Sequence, residues 1–568
     1  MTDELHRFDY VIVGSGAGAV AAALVVKRNG KRPLIIESTD RFGGSTSLSG
    51  GLAWIPDNHI LREKGIEDSF EQAWVYLEAC SAGAGIAASP ERRRAFLEQA
   101  PRVMEFLEGH GMKWHHSEGY SDYHEGEYPG AIARGRAMEG KPFDLRRLGP
   151  WEPLLRQHIG DQPISAPEMG KLSLVHSGAS YLVMAKVGWR MLLNKLGRKI
   201  RCRGNAIQGR LLEIALRNEI EIWLNSPLVD LVFDEGRVCA LKVARDGKVV
   251  TVDTSDGVLL NGGGFAHNLE MRALYQPALG TTEYSAANPG DMGEVIEIAR
   301  KAGAATDLMD LSWWVPSSIV GPGIFAFHVP NDSAKPHCMI VDGKGERFVC
   351  EATSYVSVGM AMLDHARAEP DFGSWFIVDS QFRRKYRWGA GVFPAGDPPE
   401  EWITSGYMIR AETIEQLGQA CGIDPERLAS SIARFNSFCR SGVDEDFAKG
   451  SSAYHRFFGD PRQRGNACLG ELSEPPYYAV RLVPSDVGTA GGLATDEKAR
   501  VLTEDGKTIP GLYATGNATA PVVGRSYPGA GASISAAMTF GYIAAHHATG
   551  RPASLAARTL HHEAVHAG

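Results

Sequence analysis

Apolar and polar positions follow two rhythms along this chain, and the clearest stretch lies near its start. Residues 8–13 form a short apolar, β-branched run; Gly14, Gly16 and Gly18 follow, and then Val, Ala and Leu up to Lys27. That order predicts a buried strand, a glycine turn and a helix. A second apolar run, residues 33–36, ends in Glu37 and predicts a neighbouring strand. Residues 181–195 carry Lys186, Arg190 and Asn194 at steps of four with apolar side chains around them, the spacing of an amphipathic helix. Towards the C-terminus, residues 524–533 form a Gly-rich turn that opens a last helical stretch.

Composition narrows the reading. With 568 residues, 44% hydrophobic and 22% charged, the chain is expected to form two or more soluble domains around a sizeable core. A net charge of −8 argues against a general nucleic-acid role, and 65 glycines point to tight turns and close backbone approach to a ligand. The eight cysteines are scattered without CxxC or cluster spacing, which fits a reducing compartment. The N-terminus is acidic without an apolar signal core, and no uncharged apolar run is long enough to span a bilayer, so the expected location is the cytoplasm. One region departs from the acidic total: between Glu168 and Glu213 there are nine Lys and Arg and no acid. Either the basic helix, with the cations following it, makes a peripheral contact with anionic lipid through residues 180–203, or it packs on the core with its cationic side in water. No metal site is expected. His562 and His566 fit the HExxH spacing but have no third ligand downstream, and His110, His115, His116 and His124 read as loop histidines.

The N-terminal pattern carries chemistry. Gly14 permits the tight turn, Gly16 lets backbone approach a pyrophosphate at the positive helix end, and Ala19 is the small residue where helix meets strand. Ser15, Ala17 and Gly18 complete the loop, and Glu37, with Ser38 beside it, stands where a carboxylate holds a ribose hydroxyl. Residues 41–56 place Gly43, Gly44, Ser45, Thr46, Ser49 and Gly51 where a chain must press against a flat cofactor. Here the sequence resembles the flavoprotein subunits of fumarate reductases and succinate dehydrogenases, which implies FAD. Residues 509–517 are similar to that family's second FAD strand, with Asn517 where many relatives carry Asp. Residues 258–264, with Gly264, and 288–293, with Asp291, match two further landmarks, and Ser533 and Ile534 complete the implied cofactor set. The resemblance runs essentially end to end. It implies an α/β fold in which a discontinuous Rossmann-like FAD-binding domain (1–286 and 478–568, with the basic insertion at about 150–205) holds an inserted α+β catalytic domain (287–477). Relatives with covalent flavin carry a His near the Gly43–Gly44 turn; none lies here, so FAD is expected to be non-covalent.

The substrate is expected to be neutral. Fumarate reductases carry an arginine proton donor a few residues after an Arg-Phe-x-x-Glu landmark; after Arg347, Phe348 and Glu351 this chain has Tyr355. Their dicarboxylate-gripping histidine is also missing from residues 486–492, so an anionic substrate would enter without its partners. By contrast, Tyr527 and Gly531 offer a hydroxyl and a backbone N–H four residues apart, two neutral donors able to converge on a ketone oxygen; alone, the same run would read as a surface turn. With residues 309–316, Tyr355 and Tyr123, the run resembles the 3-ketosteroid Δ1-dehydrogenases. That resemblance implies that Tyr527 and Gly531 hold the C3 oxygen of a hydrophobic 3-oxo steroid. Tyr355 takes the C2 proton, Tyr123 (or Tyr120) supports Tyr355, and FAD accepts the C1 hydride. The last helix would open towards the flavin O2 region and favour the anionic reduced ring. Met309, Trp313, Trp314 and residues 319–329 are candidate walls of the steroid slot. A quinone or other non-oxygen acceptor would take the electrons. Two rivals remain at this level: a ring-A 4,5-dehydrogenase, and a flavin electron-transfer subunit without steroid activity.

Overall fold

The computed structural model describes residues 5–157, 163–172, 178–277, 284–321, 324–368, 373–389 and 394–550; His562 and His566 lie outside the described residues. Leu5–Val13 is the strand expected from its apolar run, and residues 10–13 are covered on both faces, which is why apolar residues occupy successive positions there. Pro33–Ile36 and Lys248–Leu260 flank it in parallel, and Thr508–Ala514 continues the sheet, so Leu34, Val11, Val258 and Leu512 form one buried row. Glu221–Trp223 and Arg500–Leu502 complete its edges. Strands from both ends of the chain therefore share one sheet. The helix Ala17–Arg28 lies against the closing helix Ala532–Ala548. Their approach depends on glycine, since a Cβ on Gly541 would sit 2.5 Å from the Gly18 carbonyl oxygen.

A second, antiparallel sheet stands on the first. Its order is Ile324–Phe327, Ser312–Gly321, Tyr477–Thr489, Ser374–Val378 and Cys338–Asp342, with Met408–Ala411 also paired to Tyr477–Thr489. The long strand Tyr477–Thr489 crosses the expected boundary at 477/478, and all of its sheet partners lie in this second unit. Helix Tyr355–Ala368 packs directly on Ser312–Gly321, where a Cβ on Gly359 would come within 2.6 Å of Trp314 Cβ.

Gly178–Lys195 is helical, and of its cationic row Arg190 turns inward while Lys186 stays largely exposed. Arg190 is only 9% exposed and binds Glu168 with two nitrogens, at 2.6 and 3.1 Å; Lys186 meets the same carboxylate at 3.1 Å, and Asn194 bonds the backbone of Ile200. A carboxylate on the neighbouring helix Ala166–Leu172 explains the inward Arg190: burying Glu168 unpaired would be far costlier than turning one guanidinium in. The face left outside is apolar, with Leu182 76%, Trp189 60% and Leu196 72% exposed, and Tyr181, Met184, Met191 and Leu192 beside them. No described helix is long and apolar enough to cross a membrane. Nor are all of the grouped histidines loop residues, since His115 and His116 lie on the strand Trp114–His116.

Candidate active site

Two helix N-termini frame the site. Gly16 caps Ala17–Arg28 and Gly531, at φ 87°, caps Ala532–Ala548; neither helix has a side-chain cap. Their first turns present a positive end at the carboxyl edge of the parallel strands, the crevice where such sheets bind ligands. Glycine keeps the crevice open. A Cβ on Gly14 would lie 2.3 Å from the Asn261 carbonyl oxygen, and one on Gly264 would lie 2.0 Å from the Thr489 hydroxyl.

The residues expected to hold a cofactor gather here. Glu37 ends the second strand, and its carboxylate accepts from Ser15 N–H and Oγ (3.1 and 2.7 Å) and from Thr39 N–H and Oγ1 (3.0 and 2.9 Å), with the Ser38 hydroxyl at 3.4 Å. Ser15 Oγ also accepts Gly43 N–H, tying the first glycine loop to the second. Gly43, Gly44 and Gly51 all take positive φ; Thr46 accepts Ala17 N–H, and Ser49 accepts Gly51 N–H. Ser45 donates to the buried Asp291 at 2.9 Å, and burial pushes that carboxyl up to about 7. Ala19 is fully buried where helix meets sheet, Ile534 is buried, and Asn517 accepts Trp313 Nε1–H at 3.3 Å. A glycine cradle, two uncapped helix ends and a ribose-type carboxylate fit a dinucleotide. Supplied there, FAD is a hydride acceptor.

Beside the cradle the tyrosines converge. Tyr527 is buried, its hydroxyl 3.0 Å from Ser533 Oγ, and the backbone N–H groups of Ser533 (3.4 Å) and Gly531 point at the same oxygen. Tyr527 O–H and Gly531 N–H are thus adjacent, with the N–H directed at the hydroxyl oxygen. Ring centroids of Tyr123 lie 5.9 Å from Tyr355 and 5.8 Å from Tyr527, while Tyr355 and Tyr527 are 6.3 Å apart. Of the candidates near Tyr123, Tyr120 instead packs on Phe457 and Phe458, and Tyr128 stacks on His124 at the surface. The Tyr123 hydroxyl is a hydrogen-bond partner of both Tyr355 and Tyr454. Trp313 sets its edge against Tyr527 at 4.8 Å, whereas Trp314, one residue on along the strand, points to the other face under Arg272. Only Trp313 walls this space. Met309 is buried in the core beneath the parallel sheet, and of residues 319–329 the described Ile319, Gly321 and Ile324–Phe327 lie in two paired antiparallel strands, with Ile324 exposed.

Buried ion networks fix the tyrosines. Arg347 binds Glu351 at 2.8 and 2.9 Å and Asp444 at 3.1 and 2.9 Å, and Lys449 lies 3.6 Å from Glu351; the network ends four residues before Tyr355. Next to Tyr123, Asp122 accepts Trp54 Nε1–H at 2.8 Å and pairs with the buried Arg136, which also holds Asp68 at 2.7 Å. The Tyr123 N–H donates to Pro528 O at 3.0 Å, Tyr76 donates to that same oxygen, and Ser526 Oγ lies 2.7 Å from His124 Nε2. Sequence reasoning missed Tyr454, Tyr76 and this Ser526–His124 clamp. Each works across a long chain separation, and the only local sign was the aromatic run around Tyr454. Among the described residues no group of three or more His, Cys, Asp or Glu is placed to hold a metal ion.

Fold and site together define a flavoprotein, and comparison with known proteins agrees. The family model described as FAD binding domain matches residues 9–534. The 3-oxosteroid 1-dehydrogenase of Mycobacterium tuberculosis is 38% identical over 561 residues, covering 96% of this chain and 98% of that one. The crystal structure of 3-ketosteroid Δ1-dehydrogenase from Sterolibacterium denitrificans in complex with 1,4-androstadiene-3,17-dione superposes with a TM-score of 0.88 at 34% identity, covering 96% of this chain and 99% of that one. A 3-ketosteroid Δ4-(5α)-dehydrogenase from Rhodococcus jostii shares the fold, with a TM-score of 0.68 at 21% identity, over 97% and 99%. The chain belongs to the 3-oxosteroid 1-dehydrogenase family of FAD-binding flavoproteins.

Proposed function

We propose that this protein is an FAD-dependent 3-oxosteroid 1-dehydrogenase. The observation that carries the reading is the convergence of Tyr527, Gly531, Tyr355 and Tyr123 beside a glycine cradle. Tyr527 O–H and Gly531 N–H hold the C3 oxygen and stabilise the enolate that develops on it, which makes the C2 proton acidic. Tyr355 takes that proton, and Tyr123 shares the resulting charge by hydrogen bond. FAD, when bound, would supply the acceptor for the C1 hydride. Gly14 to Ala19 and Glu37 would hold its adenosine and pyrophosphate end. Residues 43–51, Gly264, Asp291, Asn517, Ser533 and Ile534 line the remainder, and electrons leave to a quinone or another non-oxygen acceptor. The catalytic unit takes in the strand Tyr477–Thr489 as well as residues from 287.

The relatives favour 1,2- over 4,5-oxidation, since the 1-dehydrogenases match at 34–38% identity and the Δ4-(5α) enzyme carries only the fold. A bare electron-transfer subunit would not need three tyrosine rings gathered within 6.3 Å of one another. Anaerobic addition of androst-4-ene-3,17-dione should bleach the bound flavin and yield the 1,4-diene. A 4,5-oxidised product, or no bleaching by any 3-oxo steroid, would refute the assignment.

A second reading concerns location. Six large apolar side chains exposed on this helix, with Leu196 just after it, forgo up to about 1.5–3 kcal/mol each relative to full burial, more than a soluble monomer usually tolerates in one patch. With the exposed Lys195 and Arg198 at the end of that face, we infer that Gly178–Lys195 rests on an anionic lipid surface by its apolar side.

A further inference from the structure

Arg92 is a buried cation that the chemistry above leaves unused. It lies in the first turn of the helix Pro90–Gly109 and is 1% exposed. A positive charge at that end opposes the helix macrodipole, so it does not serve its own helix. Among the described residues no carboxylate lies within ion-pair distance; Asp496 and Asp307 act on it only from further away. One terminal nitrogen donates to the carbonyl oxygens of Ala87 and Ala520, the guanidinium carbon lies 5.0 Å from the Phe540 ring centroid, and Nε has no hydrogen-bond partner. Two carbonyls and a ring face offset only part of the desolvation of a guanidinium.

Arg92 borders a cavity also lined by Trp313, Asn517, Ser533 and Phe540. Trp313 bonds Asn517, Ser533 bonds Tyr527, and Ser533 sits in the uncapped first turn of the closing helix. An uncompensated buried charge and a positive helix end thus meet in one space, an arrangement that favours a group gaining negative charge. The substrate's C3 oxygen already has neutral donors. Oxidation removes a proton and a hydride from the steroid: the proton goes to Tyr355, and the hydride carries its electron pair to the cofactor. One net negative charge therefore arrives with the cofactor.

We propose that Arg92 adds to the end of Ala532–Ala548 a buried positive charge that stabilises the anionic reduced flavin and so raises its reduction potential. This rests on the FAD-dependent reading above. The test uses the FAD-loaded protein and reads midpoint potential and sulfite affinity. Arg92→Gln should weaken sulfite binding about tenfold and shift the midpoint about 30 mV more negative, the same tenfold for a two-electron couple. Arg92→Lys, which keeps the charge, should retain most of the wild-type affinity. A Gln variant with lowered melting temperature but unchanged potential would mean that Arg92 only ties the two carbonyls, and overturns the proposal. A Gln variant that loses FAD leaves the decision to the Lys variant and the wild type. The wild-type midpoint should fall about 30 mV per pH unit near neutrality, one proton per two electrons; about 59 mV per unit means a neutral reduced ring and overturns the proposal. Steroid bleaching that survives in Arg92→Gln with an unmoved potential refutes the Arg92 role alone.

Discussion

Tyr527 and Tyr355 are the same side chain used in opposite senses, one to keep its proton and one to gain a second group's. Burial pushes the Tyr527 hydroxyl above its ordinary value, which suits a donor that must stay protonated, and Ser533 only partly offsets this. Burial, reinforced by Tyr527, pushes Tyr355 well above the usual tyrosine value of about 10, and the hydrogen bond with Tyr123 works the other way. The reactive form of Tyr355 is the phenolate, whose fraction grows tenfold per pH unit below its pKa. Steady-state kcat should therefore climb from pH 7 to about 9 with a log slope near one. Tyr123→Phe removes the lowering bond and should move that limb to higher pH; a flat profile across the range would exclude Tyr355 as base. Tyr527→Phe should keep FAD and lose about 10²–10³ in kcat, the usual loss for one oxyanion donor. Unchanged turnover would remove Tyr527 from the mechanism.

At the scale of elements, the decisive feature is how the closing helix begins. Gly531 takes φ 87°, and a Cβ there would fall 2.0 Å from the Leu52 carbonyl oxygen, so Gly531→Ala must shift the strand Leu52–Trp54 as well as strain its own backbone. Gly65, at φ 62° with nothing within 4 Å, supplies the control in which only strain acts. Gly65→Ala should cost about 1 kcal/mol, and Gly531→Ala more than that together with most turnover, read by thermal melting and flavin reduction. Equal losses would mean that the space at Gly531 is not used. The strand–turn–helix at 8–27 and the start of the last helix were legible because their signals are local: a glycine needs its conformation whatever packs nearby. The His124–Ser526 contact was not, because it spans 402 residues and neither residue carries a pattern of its own. The basic helix was legible as a helix but not in its orientation. Cations at steps of four read as a solvent face until Glu168, 22 residues before Arg190, supplies a buried partner.

Across the whole molecule, the apolar face is linked to the site through an aromatic cluster. Helix Ala166–Leu172 carries Gly178–Lys195 on one side, and on the other a Cβ on Gly170 would meet Phe457 at 3.3 Å; Phe457 packs on Phe458, Phe458 on Tyr454 and Tyr454 on Tyr123. A steroid partitions into lipid, so a protein resting on a bilayer by this face would collect substrate where it is concentrated. Replacing Leu182, Trp189 and Leu196 together by Glu makes the exposed surface polar without touching the inward Arg190–Glu168 pair. The triple variant should hold FAD, melt like the wild type and turn over steroid dissolved in detergent-free buffer at the same rate. It should no longer sediment with vesicles rich in anionic lipid, and its turnover of vesicle-dissolved steroid should fall, because collection from the bilayer is lost. If the wild type fails to sediment with those vesicles and instead runs as a dimer that the variant breaks, the apolar face binds a second copy of this chain and the lipid reading is wrong.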